Sequence, residues 1–386
     1  PGGVSSLKLY VCPDPAYACY KANNMALNPD SNGVTNPRLV TVVNGTIKLD
    51  VKIISSSKET VAEYTEYIPV TEADGSLMRP AMIGTKAQLM AINCMGTSML
   101  VKDIDLGGTA WTGIAGAGIN GFGGILDGNG FKIYGLRLAS TDNQGLFKAL
   151  GLKAAGDNLN PEIKSLHIEV SADAVQSNTG ALAGMAYHAK LNGIRASGSL
   201  SGITADAVGG IVGYMDNTSI IYSSSAVDVN ITNGFDAGGL AGKADNSLIH
   251  DSFFSGNVAT GNNAGGIVGQ MSNGKLVSVY SRGSSGNNTT VGVGGLAGAF
   301  VNSQMKDSVA ANSALDAASA LNRLAGGTCA GSTFINNYAL STLGTAGTSS
   351  DNNGADVPGG NILALLSGLW GALLWDFAQT YPELRD

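Results

Sequence analysis

The strongest constraint on this chain is a glycine-rich string that returns about every 28 residues. It reads GALAG at 180–184, GGIVG at 209–213, GGLAG at 238–242, GGIVG at 265–269 and GGLAG at 294–298. The closing glycines Gly184, Gly213, Gly242, Gly269 and Gly298 lie 29, 29, 27 and 29 residues apart, and a weaker copy, RLAGG, places Gly326 28 further on. A repeat of that length marks a stack of small units, none of which can bury its apolar face alone. Seven residues after each closing glycine stands an apolar residue: Leu191, Ile220, Ile249, Leu276 and Met305. Ile194, Ser223, Ser252, Val279 and Ser308 follow three residues later. Two further on come Ala196, Ser225, Phe254, Ser281 and Ala310. These columns of mostly small or apolar residues suit a narrow interior.

Helical-hairpin repeats need glycine-free stretches with a 3.6-residue period, and the repeats contain none. Short β-branched or Leu-rich segments with Gly and Asn corners predict strands, each pairing with its equivalents in the coils above and below at a spacing of about 4.8 Å. The expected fold is all-β: a right-handed parallel β-helix with a small N-terminal β-rich domain. The handedness follows the general sense of parallel β crossovers. The motif glycines serve either a positive φ at a corner or a close backbone approach. A phosphate loop is a poor alternative, because the chain has no GxxxxGK[ST] string.

The flanks divide the chain further. Residues 1–80 hold seven of the ten prolines and no repeat, and are expected to form the small domain. Leu39–Val43, Thr46–Ile54 and Thr60–Val70 are its candidate strands, and Pro69–Pro80 its linker. The β-helix is expected over 81–386. It comprises a short helix at Lys86–Ile92 over the open end, an entry module at 99–151, repeats over about 163–340 and a C-terminal cap at 361–386. In the entry module Asp127-Gly128-Asn129-Gly130 reads as a tight turn, and Gln144–Phe147 as a degenerate first copy of the repeat string. The cap contains Trp370 and Trp375, suited to covering unpaired strand edges.

With these residues in view, the chain resembles the GLUG-motif surface proteins. The resemblance rests on Gly239-Leu240-Ala241-Gly242 and Gly295-Leu296-Ala297-Gly298, with Ile for Leu at 209–213 and 265–269. It also rests on Asp103-Ile-Asp105-Leu, Trp111, Asp127-Gly-Asn-Gly-Phe, Gly145-Leu-Phe147, Trp375-Asp-Phe377 and Tyr381-Pro-x-Leu384. It covers about residues 81–386. It implies an adhesin-like protein of the bacterial cell surface, similar to the non-catalytic repeat regions of immunoglobulin A proteases. Exported proteins of gut Bacteroidetes, commonly lipoproteins, have this size and layout. The motif supplies architecture and no catalytic residues. Any export signal or lipid anchor is expected outside this stretch of chain.

The chemistry points the same way. A net charge of −7 gives no basic footprint for nucleic acid, and no apolar run is long enough to span a membrane. His167, His188 and His250 form no HExxH zinc motif. The four cysteines form no CxxC. Cys12 and Cys19 are near enough in sequence to pair across a hairpin, and the plainer reading is four small apolar residues. No cofactor or metal is expected; Asp103, Asp105 and Asp127 lack calcium-loop spacing.

Two candidate sites remain. The column Arg195, Ser224, Phe253, Tyr280 and Val309 points outward if its neighbours point inward, so Phe253 over Tyr280 is expected as an exposed aromatic patch for a host glycoprotein or polysaccharide, with Arg195 beside it. Asp251 and Asp307 occupy equivalent places two coils apart, about 9.6 Å by coil spacing. That separation suits the carboxylate pair of a polysaccharide-cleaving enzyme, and it also suits corner aspartates bonding local backbone. The expected function is a non-catalytic surface adhesion or interaction module, with glycoside hydrolysis or lysis on a β-helix as the alternative.

Overall fold

The computed structural model describes residues 8–10, 46–54, 60–69, 80–114, 121–152, 159–344, 347–357, 362–370, 375–377 and 383–384. The chain parts into two compact units, Pro1–Ala81 and Met82–Asp386. In the first, Lys8–Tyr10, Thr46–Ile54 and Thr60–Pro69 form an antiparallel three-stranded sheet with Thr46–Ile54 in the middle. Cys12, Cys19, Leu39–Val43 and most of Pro69–Pro80 lie outside the described residues.

The second unit is a parallel β-solenoid of about eight turns. Each full coil contributes to three parallel sheets. A wide sheet carries long strands such as Glu162–Ala172 and Lys190–Gly202, which pair in register from Glu162↔Lys190 to Ala172↔Leu200. Higher up, these strands break into shorter ones such as Ser219–Ile221 and Ser224–Ile231. A second sheet holds Ala183–Tyr187, Val212–Asp216, Ala241–Asp245, Val268–Ser272 and Ala297–Val301. A third, narrow sheet holds Thr179–Gly180, Val208–Gly209, Asp236–Gly238, Asn263–Gly265, Gly292–Gly294 and Ala320–Asn322. Each repeat string is the crossing from the narrow sheet to the second sheet. The three columns read as inward from the sequence, from Leu191 and Ile194 to Ala310, are all buried.

None of the motif glycines takes a φ in the left-handed region, so close approach is their role. A Cβ on Gly209 would lie 2.6 Å from the nitrogen of Gly242, the closing glycine of the next coil. The same 2.6 Å separates Gly238 from Gly269 and Gly265 from Gly298. The first glycine of one string thus abuts the last glycine of the next, and the narrow sheet lies on the second sheet with no side chain between. The middle glycine faces the interior, where a Cβ on Gly239 would strike the ring of Phe254.

The entry module stacks two coils below Glu162–Ala172. Ile125–Asp127 and Lys132–Leu138 both pair with that strand. The Asp127–Gly130 turn is therefore a corner within one coil and not a hairpin. Asn129 and Gly130 take φ of 51° and 75°, and Asp127 accepts from the Asn129 N–H. Helix α1 (Lys86–Met90) is capped by Thr85 and buries Leu89.

At the far end, Arg323 stands where earlier coils have the middle glycine. It is fully buried, donates to the carbonyls of Leu340, Asn353 and Gly354, and pairs with Asp356. A buried guanidinium is tolerated only when saturated in this way.

Two predictions follow from these contacts. Gly242→Ala forces a Cβ within 3 Å of the Ala207–Val208 backbone and should destabilise the solenoid by about 3 kcal/mol or more. Gly368→Ala, in a helix with open space around it, should be neutral or stabilising. Urea titrations of the two variants compare them.

The second concerns Asp236, buried in the narrow sheet and accepting from Asn263 Nδ2 at 2.7 Å. Burial raises its carboxyl above the ordinary range, with Asp206 and Asp245 adding to the rise while the Asn263 bond and Lys243 oppose it. A raised folded-state value means the folded protein holds the proton more tightly. Asp236 then favours folding fully below about pH 4, and that contribution is lost as pH rises through its raised value. Asp236→Asn should raise Tm at pH 7 relative to the parent and narrow the gap at pH 4. Equal Tm differences at both pH values would refute the assignment.

Candidate functional site

The closing glycines lie in the second sheet, and Arg195, Phe253, Tyr280, Asp251 and Asp307 fall on one side of the solenoid, along the wide sheet. The chain bends there after strands such as Leu248–His250, and the bend is made by one residue in the left-handed region. Successive coils place Gly193, Tyr222, Asp251, Ser278, Asp307 and Asn336 at this point, all with φ between 45° and 67°. Asp and Asn tolerate that conformation; a tyrosine there is unusual. Asp251 and Asp307 do stand in equivalent corner positions two coils apart, with Ser278 between them.

The next position in each coil carries the chemistry of the bend. Ile194 N–H donates to Ser223 Oγ, Ser223 N–H to Ser252 Oγ, Val279 N–H to Ser308 Oγ and Ser308 N–H to Asn337 Oδ1, each a coil further on. The serine hydroxyls in turn donate to carbonyls two residues back. A second ladder of the same kind runs through Ala189, Thr218 and Ser247, and again through Gly274, Ser303 and Ser332. It follows the left-handed residues His188, Asn217, Asn246, Asn273 and Asn302. At both bends the hydroxyl replaces the ladder carbonyl that the turn takes away. The asparagines four residues after Gly213, Gly242, Gly269 and Gly298 could have revealed the second bend from the sequence.

The corner carboxylates are engaged. Asp251 is nearly buried, and its Oδ2 lies 2.5 Å from His250 Nδ1. Asp307 accepts from Asn336 Nδ2 at 2.6 Å, and Lys306 Nζ is 3.6 Å away. His250 is half-buried and Lys306 exposed, one residue before the bend in their coils. Among the described residues, no group of three His, Cys, Asp or Glu side chains is placed to hold a metal.

Two residues past the bend, the outward column holds Arg195, Ser224, Phe253, Tyr280, Val309 and Tyr338 in register. The Phe253 and Tyr280 rings stack, 5.1 Å apart and 5° from parallel. The ladder exists as expected, but its exposure does not: Phe253 is 8% exposed and Tyr280 0%. The C-terminal tail covers them. Trp370 stacks on Tyr280 at 5.8 Å, and Trp375 leans on both rings at 6.2 and 5.8 Å. Trp370 Nε1 donates to the Asp307 carbonyl at 2.9 Å, and Arg195 Nη2 reaches the Leu384 carbonyl at 3.4 Å. The described tail residues therefore lie along the side of the solenoid. At the terminal coil, Tyr338–Leu340 is paired by Ala355–Val357, and the Leu324 and Ala325 N–H groups donate to the Asn352 carbonyl. A sheet's outward alternation is visible in a sequence; what later folds over it is not.

No protein-family model matches the chain, and no curated protein matches it. Among solved structures it is similar to "a putative immunoglobulin A1 protease from Bacteroides ovatus". The two are 18% identical over 81% of this chain and 94% of that one, with a TM-score of 0.57. A structure described as "IgA1 Protease" is 16% identical over 81% of this chain and 25% of that one, with a TM-score of 0.41. The first likeness is one of fold: both chains are β-solenoids of this class. The GLUG resemblance rests on the repeat strings themselves.

The corner chemistry is testable at Ser252, whose buried hydroxyl accepts from Ser223 and donates to His250. Ser252→Ala leaves the Ser223 N–H unpaired and should cost about 1–3 kcal/mol, read as a drop in urea midpoint with unchanged m-value.

Proposed function

We propose that this chain is an exported, non-catalytic interaction module of a bacterial cell surface, holding a host glycoprotein or glycan against the wide-sheet side of its solenoid. The observation that carries this reading is the state of the corner carboxylates. Asp251 is committed to His250, and Asp307 to Asn336 and Lys306. Carboxylates spent on the bend are poor acids or nucleophiles for glycoside cleavage. What the corner offers a ligand is a shallow row of mixed groups at coil pitch, His250 and Lys306 among them, with Arg195 beside the tail. Such a row suits contact with a large surface.

The GLUG-like strings support a surface location, and among the described residues no helix is long and apolar enough to cross a membrane. The fold shared with the Bacteroides ovatus protein supports immunoglobulin A as the first glycoprotein to try. The proposal includes a separate small domain over residues 1–80.

The test is capture of host glycoproteins, immunoglobulin A included, and of polysaccharides on the immobilised full chain, with the captured material checked for cleavage. Retention of intact ligand is expected. Arg195→Ala or Lys306→Ala should weaken it roughly tenfold each, the scale of one charged contact, and Asp251→Asn should leave it unchanged. Cleavage of a captured glycan, abolished by Asp251→Asn, would replace this reading with the enzyme alternative.

A further inference from the structure

The tail and the outward ladder build a second apolar cluster, separate from the interior core. Its members are Phe253, Tyr280, Val309, Ala311 and Val357 from the coils, with Ile362, Leu366, Trp370, Trp375 and Leu384 from the tail. Tyr338 packs against its edge. Helix α2 (Ile362–Leu369) supplies the first part of the tail's contact, near the last coils. Trp370 and Trp375, stacked 4.6 Å apart, supply the middle. Leu384 lies beside Arg195 at the far end. From Tyr338 back to Arg195, the tail passes along coils that are successive neighbours in the ladder.

A bare solenoid behaves almost as a one-dimensional chain. Each coil touches its neighbours, so the terminal coils open first and opening spreads inward step by step. The ladder bonds of this solenoid have that pattern, joining each coil to the next. The tail breaks the pattern, because one continuous segment contacts coils that do not touch one another. Opening the coil of Asp307 and Val309 removes the carbonyl that Trp370 Nε1 bonds and the floor beneath that ring. That loosens Trp375, and with it the cover over Phe253 two coils away.

We infer that the C-terminal tail is a lateral strap that ties the coils between Arg195 and Tyr338 into one cooperative unit, so that they cannot fray one at a time. The coils of the entry module, Thr97–Leu100 and Ile125–Asp127, lie outside it. The strap's hold includes the apolar and aromatic cluster and polar ties to the solenoid wall, among them the Trp370 bond to the Asp307 carbonyl and the longer Arg195 bond to the Leu384 carbonyl.

Native-state hydrogen exchange on the full chain tests this, because it reads opening strand by strand. In the parent protein the slowest amides of Ser219–Ile221, Leu248–His250, Lys275–Val277 and Gln304–Lys306 should share one protection level. In Trp375→Ala they should separate into a gradient. Gln304–Lys306 and Thr333–Ile335 should lose at least about a hundredfold in protection, the lower end of the scale for deleting a buried indole, while Thr97–Leu100 keeps its parent rate. Trp375→Phe should show the same order with a smaller spread, and it carries the comparison if Trp375→Ala does not fold. An unchanged pattern, or a loss spread evenly through every coil including Thr97–Leu100, would overturn the strap.

Discussion

The contact on which the solenoid depends is glycine against glycine. The narrow sheet lies on the second sheet at a separation that admits no Cβ, and the pairs Gly209–Gly242, Gly238–Gly269 and Gly265–Gly298 mark where the two backbones meet. Each pair bridges successive coils, so one geometric condition fixes the coil height, the register of two sheets and the placing of the interior residues between them. The middle glycine extends the condition inward. Phe254 fits because Gly239 has no side chain, and where a later coil can fill that place the residue is Arg323. The period in the sequence is the record of that contact repeated.

Around this constraint the two bends solve a shared problem. A left-handed residue turns the strand, and turning it removes a carbonyl from the ladder. The hydroxyl that follows, as in Ser223, Ser252 and Ser308, restores the missing acceptor one coil away. Because this demand falls on the turning residue's neighbour, the turning residue itself is free to vary. That freedom is why Tyr222, Asp251, Ser278 and Asp307 differ in chemistry at one structural position. Variation at such a place is compatible with function without requiring it, and the engagement of Asp251 with His250 shows how a charged corner residue is absorbed locally.

Much of this was legible before any coordinates. The glycine spacing announced coils of about 28 residues, and the columns from Leu191 to Ala310 marked the interior because small and apolar residues recur there in step. The outward direction of Phe253 and Tyr280 followed from the same alternation. Their burial did not, since it depends on Trp370 and Trp375, some 100 residues later in the chain, and no local period encodes that return. Arg323 was hidden for a related reason: a fully buried arginine looks like an exposed one until the carbonyls of Leu340, Asn353 and Gly354 are seen to converge on it. Asp127–Gly130 reads as a turn in the sequence, but a turn sequence alone does not tell a hairpin from a corner.

The exterior cluster changes where a partner could meet the wide sheet. An aromatic ladder at coil pitch is a natural platform, yet here it is already occupied by the chain's own tail. The groups left to solvent on that side include His250 and Lys306 at the bend, with Ile335 in the same column, and the partly exposed Arg195 below Phe253. A ligand docking there would meet charged and hydrogen-bonding groups held at fixed intervals by the glycine interlock. Recognition on such a face would come from the spacing of many modest contacts across several coils. Under the proposed function, such a face would suit an extended partner, such as a glycan or a glycosylated protein surface, more than a small molecule enclosed in a cleft.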